Sequence, residues 1–407
     1  MMAVLAPLFP KAWRLAPVRA SAEDDVSKIV VRGALRDEIA IVPNSRGLEY
    51  VVAATDGDVR SIDTGGDFRV EPMGAFATLW ARVRLKLFFK RKKYLKFKEF
   101  SLYSRGPKRE RKRFTTFNQQ IFHTGGLTMD GDLVRSHPEL LLGWSRIEPR
   151  GRPSGPVKAA VVVHIYYDDT WDDFAEVLKR LTIPYDLIVT TVAGRDRLSE
   201  MVMRDFPWAE VTVFENRGRD VRPFLALLEA GRLDRYAYVC KVHGKKSSDG
   251  GRMAYTGPLW RRRLLFDLLA GPGIAEKILS AFERDRGIGM IGPAAFRLPS
   301  AAYSEALSWG VDNRETILTH AESMGVPSDR FRLDFFGGTM FWVRPQALKP
   351  LSALRLSEMF PEERGLLDGG LEHAVERLFA TSTVAAGYRL ADSDGVSVLD
   401  AAADSKA

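Results

Sequence analysis

Four basic or titratable side chains, Lys241, His243, Lys245 and Lys246, crowd into six positions of "YVCKVHGKKSSDG" (238–250), at the end of a run that reads as a buried strand. Like charges so close repel one another, and a fold keeps them together where an anion neutralises them. A second cluster, "ENRGRD" (215–220), sets Asn216, Arg217, Gly218, Arg219 and Asp220 directly before a helical pattern. Guanidinium forks take phosphate or carboxylate in bidentate fashion, glycine lets the backbone approach closely, and a helix N-terminus favours negative charge. Anion binding is the expected chemistry of both clusters. The bland alternatives are solvated surface charges for the arginines and an N-cap, a contribution of about 1 kcal/mol, for Asp220.

These residues must be positioned by the elements around them. "AAVVVHIYY" (159–167), "YDLIVTTV" (185–192), "AEVTVFE" (209–215) and "YAYVCKV" (236–242) are apolar runs of strand length. They alternate with helical patterns at 168–181, 196–205 and 220–231. Strands apolar on both faces that alternate with helices predict an α/β fold, a mostly parallel, Rossmann-like sheet covered by helices. Helices near 259–270, 274–284 and 314–324, strands "GIGMIGP" and "GGTMFWVR", and a helix in "DGGLEHAVERLF" continue it. Ligands bind outside the carboxyl ends of such strands. Asp168 and Asp169, "ENRGRD" and "KVHGKKSSD" all fall there, so one crevice is expected to gather them. His164, in the first strand, reads as a satisfied core histidine.

The series "VVVHIYY", "YDLIVTT", "FENRGRDVRPFLALL", "YVCKVHGKKS", "FFGGTMFWVRPQAL" and "DGGLEHAVERLF" resembles the rhamnan synthesis protein F family of polysaccharide glycosyltransferases, over roughly residues 158–392. The resemblance implies transfer of a deoxyhexose, typically rhamnose from a dTDP-activated donor, to a growing cell-surface glycan on a membrane-bound carrier. It also implies a distant similarity to GT-A nucleotide-sugar transferases, and a nucleotide contact for His164 as the alternative to its core reading. GT-A enzymes usually end the fourth strand in an Asp-x-Asp that holds a divalent ion on the donor diphosphate. This chain has Lys241, Val242 and His243 there, so no cofactor and no metal is expected, with fixed cations meeting the phosphate charge. The strings "DGD" (56–58, 130–132) and "DSD" (392–394) follow no central strand.

Sugar transfer needs a base for the attacking hydroxyl. The candidates in "FPEERGLLDGGLEHAVERLF" (360–379) are Glu362, Glu363, Asp368, Glu372, His373 and Glu376. By the resemblance Asp368 is the expected base and Glu363 the second choice, with His373 contacting phosphate or acceptor; Asp368 also reads as a helix cap. Trp342, after a glycine turn, stacks on a sugar ring or belongs to the core, and Trp309 and Asn313 in "LSWGVDN" are expected on the acceptor side.

At 407 residues, 45% hydrophobic and 28% charged, the chain is long enough for one large domain and a smaller region. Its single cysteine, Cys240, excludes an intramolecular disulfide and reads as a core thiol. Neither a signal peptide nor a spanning segment is recognisable, and a cytoplasmic protein, peripheral on the inner face of the cell membrane, is expected. Residues 82–113 carry 15 Lys or Arg against Glu99 and Glu110, which leaves the rest of the +8 chain about five units acidic. With Leu85, Leu87, Phe88, Phe89, Tyr94, Leu95 and Phe97 interleaved, the stretch fits an anionic membrane surface. Nucleic acid, with no specific sequence, and a solvated linker are the alternatives. The expected layout is a disordered 1–26, a small β-rich region at 27–75, a basic amphipathic segment and linker at 76–157, the α/β domain at 158–392 and a disordered tail at 393–407. Besides sugar transfer, a phosphate-transferring polymer synthesis enzyme and a non-catalytic basic adaptor fit the same features.

Overall fold

The computed structural model describes residues 11–18, 26–33, 36–45, 47–54, 59–87, 94–97, 100–122, 131–148, 151–244, 256–301, 303–363, 365 and 368–395. The chain forms two compact units: Met1–Gly143 with Asp249–Leu259, and Trp144–Ser248 with Trp260–Ala407.

The first unit is built on antiparallel strands. β1 (Ala12–Pro17), β2 (Val26–Arg32), β3 (Asp37–Pro43), β4 (Glu49–Ala54), β5 (Ser61–Asp63) and β6 (Phe68–Pro72) lead into helix α1 (Ala75–Leu87), and β7 (Tyr94–Lys96), β8 (Phe100–Arg105) and helix α2 (Lys108–Phe122) follow. The sheets run β6-β1-β4-β8-β7 and β3-β2-β5. In β2 the inward positions Ile29 and Val31 alternate with Lys28 and Arg32, the period of a strand with one face covered. Leu15, Ile29, Tyr50, Phe68, Phe100, Leu102 and Phe114 share one core. Each such side chain contributes about 1.5–3 kcal/mol by burial.

Two expectations change here. The stretch 1–26 contains β1, an interior strand paired with both β4 and β6. The described parts of the basic stretch are folded into this unit rather than forming a linker, and their apolar side chains are spent inward: Leu95 and Phe97 join the core of Tyr50 and Phe100, and Leu85 and Tyr94 pack on Val51 and Tyr103. Phe88 and Phe89 lie outside the described residues.

The second unit carries the alternation legible in the sequence. Its elements are β9 (Ala159–His164), α3 (Trp171–Leu178), β10 (Tyr185–Val192), α4 (Asp196–Asp205), β11 (Glu210–Phe214), α5 (Val221–Glu229), β12 (Tyr238–His243), the part from Trp260 of α6 (Thr256–Leu265), α7 (Ile274–Arg284), β13 (Ile288–Gly292), β14 (Arg297–Leu298), α8 (Arg314–Ser323), β15 (Phe335–Phe336), β16 (Phe341–Val343), α9 (Leu371–Ala385) and β17 (Arg389–Asp392). One seven-stranded sheet has the order β11-β10-β9-β12-β16-β13-β17. The first four strands are parallel, β16 is antiparallel to both neighbours, and β13 pairs parallel with β17. The sheet is therefore mixed. Every residue of β9 and β12 is buried, which is why these strands read as apolar runs broken by His164, Lys241 and His243 alone. Cys240 lies wholly in this core, where burial pushes its thiol pKa up.

The supposed tail is ordered at its start. Ser393 is buried and its Oγ accepts the Ala294 N–H at 3.0 Å. Asp392, the first residue of "DSD", is paired with Arg297 at 3.0 Å. Residues 56–58, 130 and 396–407 lie outside the described residues. Among the described residues no helix is long and apolar enough to cross a membrane.

Candidate functional site

The parallel strands β9 and β12 run in register, and their last residues, His164 and His243, stand side by side. The Lys241 Nζ donates to Asp220 Oδ2 at 2.6 Å and to the Thr339 carbonyl at 2.9 Å. Thr339 Oγ1 donates to the same Asp220 oxygen at 2.6 Å. His243 Nε2 donates to the Gly338 carbonyl at 2.7 Å, and its Nδ1 lies 3.7 Å from Asp220 Oδ1. Phe224 and Phe379 present their ring faces to the Lys241 ammonium, with centroids at 5.7 and 5.9 Å. Lys241 is thus a buried, neutralised cation rather than an open one, and its ammonium is not presented to a bound phosphate.

Asp220 makes no capping bond at the start of α5. Its side chain turns to Lys241 instead, so the N-cap alternative falls. Burial alone raises the pKa of this carboxyl, but the charges of His243 and Lys241, with the two hydrogen bonds, outweigh it and hold it well below the ordinary carboxylate range. His164 is buried and shares a hydrogen bond through Nδ1 with Thr190 Oγ1 at 3.0 Å. Burial lowers its pKa to about 4, with Asp220 opposing and His243 and Lys241 assisting, so the ring is neutral at pH 7.

The loop before α5 adopts a demanding conformation. Gly218 has φ +59°, and a Cβ there would stand 2.4 Å from the Phe360 ring and 2.8 Å from Arg222 Cβ. The glycine lets this loop pack against Phe360. Arg219 follows at φ +53° and Thr339 has φ +49°. For a β-branched residue this is a real outlier, at a cost of about 1–2 kcal/mol. The paired contacts of Thr339 to Asp220 and Lys241 hold it there. Strain of this kind gathers where geometry is over-determined.

The carboxylates of 360–379 sort by their partners. Glu363 takes Arg219 in bidentate fashion at 3.2 and 3.3 Å and also accepts the Gly365 N–H. Burial raises its pKa, and the Arg219 and Gly365 hydrogen bonds more than reverse that. Asp368 accepts from Val311 N–H at 2.9 Å, Asn313 Nδ2 at 2.7 Å and Gly369 N–H at 2.9 Å. Burial is again outweighed by these donors, and the carboxyl is held low. Asp368 pins the 311–313 loop to the start of α9, and Asn313, buried, serves Asp368 rather than standing open. His373 Nδ1 accepts the Gly370 N–H at 3.1 Å and closes the N-terminus of α9, with Nε2 3.2 Å from Arg219. Glu376 accepts the Gly338 N–H at 2.6 Å and supports the turn that meets His243.

An open cleft of about 410 Å³ is lined by Glu215, Asn216, Arg217, Glu362 and Glu363, in the size range of small-molecule sites. Arg217 forms an isolated bridge with Glu362 and an ion pair with Glu215 at 3.2 Å. Thus Asn216, Arg217 and Glu363 border one cleft; Arg219, with its side chain 37% exposed, pairs with Glu363, while Asp220, Lys241, His243 and His164 form a largely buried polar frame. Trp342 takes no part: it is fully buried and donates to the Leu268 carbonyl at 2.9 Å. Trp309 is half-buried beside Phe331 and Arg314. Asp168 lies 4.0 Å from Arg195, with Oδ1 buried and without a hydrogen-bond partner among the described residues. Lys245 and Lys246 lie outside the described residues. Thr339 and Glu376 complete the frame. A threonine after two glycines was the one local signal for the first, and Glu376 was legible only as a base candidate.

The chain spans about a third of the length of the curated relatives it matches. These are proteins from two strains of Xanthomonas campestris pv. campestris, each called "Uncharacterized protein WxcX", 32% identical over 235 residues, or 57% of this chain and 32% of theirs. The family described as "Rhamnan synthesis protein F" matches residues 134–388, well over half of the chain and most of the second unit. Polysaccharide synthesis is the field that this family's description names. On that match, which takes in the buried frame, the cleft and the start of α9, the chain belongs to the rhamnan synthesis protein F family.

Proposed function

We propose that the protein is a glycosyltransferase that moves a deoxyhexose, rhamnose from a dTDP-activated donor, to a growing cell-surface polysaccharide on a membrane-bound acceptor, at the inner face of the cell membrane. The observation that carries this reading is the placement of the cleft and its strained, buried frame at the carboxyl ends of four parallel strands in the order 3-2-1-4. That order supports a Rossmann-like, GT-A-like half that takes the nucleotide-sugar. The family's description supports rhamnan as the product class.

In this reading Arg217 and Asn216 meet the donor diphosphate, joined by the basic run that contains Lys245 and Lys246. No divalent ion is expected to be required. Glu363, which borders the cleft, takes the proton of the acceptor hydroxyl as its oxygen attacks the anomeric carbon and the nucleoside diphosphate departs with the bonding pair. Asp368, Asn313 and His373 hold the loop and helix start that present Glu363, and Trp309 stands toward the acceptor. Mass spectrometry of products from dTDP-rhamnose and an oligorhamnose acceptor tests the proposal. Acceptor extended by one deoxyhexose, with release of dTDP, supports it. Release of a nucleoside monophosphate would instead indicate phosphate transfer.

A further inference from the structure

Helix α1 has two unlike faces. Thr78 and Ala81 are buried, and Ala81 packs with Val51, Tyr103 and Leu85 on the five-stranded sheet. On the opposite stripe Phe76, Leu79 and Trp80 stand at i, i+3 and i+4, exposed by 83%, 50% and 51%. Three large apolar side chains on one outward stripe are unusual on a protein in water, where they forfeit the benefit of burial. Arg82 and Arg84 follow within the helix, and the 13-unit positive surplus of residues 82–113 begins there.

We infer that α1 is a docking face for an anionic lipid surface, with Phe76, Leu79 and Trp80 entering the boundary between headgroups and acyl chains. An interfacial helix needs an apolar stripe, a cationic surround and aromatic rings suited to the headgroup level. α1 combines all three. The apolar residues of the basic stretch itself are spent on the core, as Leu95, Phe97, Leu85 and Tyr94 show. Charge from 82–113 draws the unit to the membrane, and the earlier aromatic stripe inserts. Charge complementarity selects anionic lipid over a neutral apolar partner. The inference does not depend on sugar transfer.

Co-sedimentation of the full chain with phosphatidylcholine vesicles, with and without phosphatidylglycerol, tests it beside a double variant, Phe76→Ala with Trp80→Ala. The wild type should bind the mixed vesicles and only weakly the neutral ones. The double variant should bind them about tenfold or more weaker, with an unchanged thermal midpoint, because both side chains are exposed. Equal binding by a folded double variant would overturn the inference. So would a wild-type dimer that the double substitution splits while vesicle binding persists, since the face would then serve a second copy of this chain.

Discussion

Lys241 and Asp220 form a buried ion pair at 2.6 Å, with side chains 2% and 13% exposed, between a central strand and the loop before α5. The pair joins two segments 21 residues apart, and Thr339, from a third, closes it through both its hydroxyl and its carbonyl. The basic residue at the edge of the sheet is thereby part of the frame that shapes the site.

Removing one partner of such a pair leaves an uncompensated buried charge. Asp220→Asn should destabilise the protein by about 3–5 kcal/mol, read by denaturant unfolding. Adding Lys241→Met to Asp220→Asn should restore most of that loss, because the unpaired ammonium is then no longer buried. Failure of the second change to restore stability would mean that the pair is not the source.

His164 sets a pH dependence. Its folded pKa, about 4, lies below the ordinary value of 6.5. Between those values the unfolded chain binds the proton and the folded one does not, so stability falls as pH drops from about 6.5 to about 4, by roughly 3 kcal/mol in all. Asp220 adds a second loss at more acid pH. Its folded pKa is depressed, so its contribution is full above the unfolded value near 4 and disappears below it. In unfolding curves of His164→Asn the first decline should shrink to the share of His320, whose pKa burial also lowers, and the second should remain.

Glu363→Gln should lower turnover by about 10²- to 10⁴-fold and leave donor affinity little changed. Asp368→Asn should behave differently. It sets an amide against three N–H donors, so its first effect is a loss of about 1–3 kcal/mol of stability. Paired kinetics and melting curves separate the two. Turnover that survives Glu363→Gln but not a folded Asp368→Asn would move the base to Asp368.

Transfer should persist in excess chelator. An activity abolished by chelator and restored by manganese would show that a divalent ion, and not Arg217 with its basic neighbours, balances the diphosphate.

Much of the second unit was legible because parallel strands covered on both faces must be apolar throughout. The runs at 185–192 and 196–205 coincide with Tyr185–Val192 and Asp196–Asp205. β1 was not legible: six residues with Trp13 and Arg14 have no local mark of an interior strand, and their place depends on partners near residues 50 and 70. The site divided in the same way. "ENRGRD" and the strand ending in Lys241 and His243 announced a polar centre, but an Asp before a helix suits a cap and an ion pair equally. Only partners 21 and 119 residues away decide between them. Trp342 next to glycines looked available for stacking, yet its place in a central strand commits it to the core.

The most direct test of the central claim is product analysis with a panel of nucleotide-activated sugars and an oligorhamnose acceptor, scored for acceptor extension and for the nucleotide released. Extension by a single deoxyhexose is expected, with dTDP-rhamnose preferred and one dTDP freed for each sugar added. A folded, donor-binding protein that extends the acceptor with none of them would contradict it.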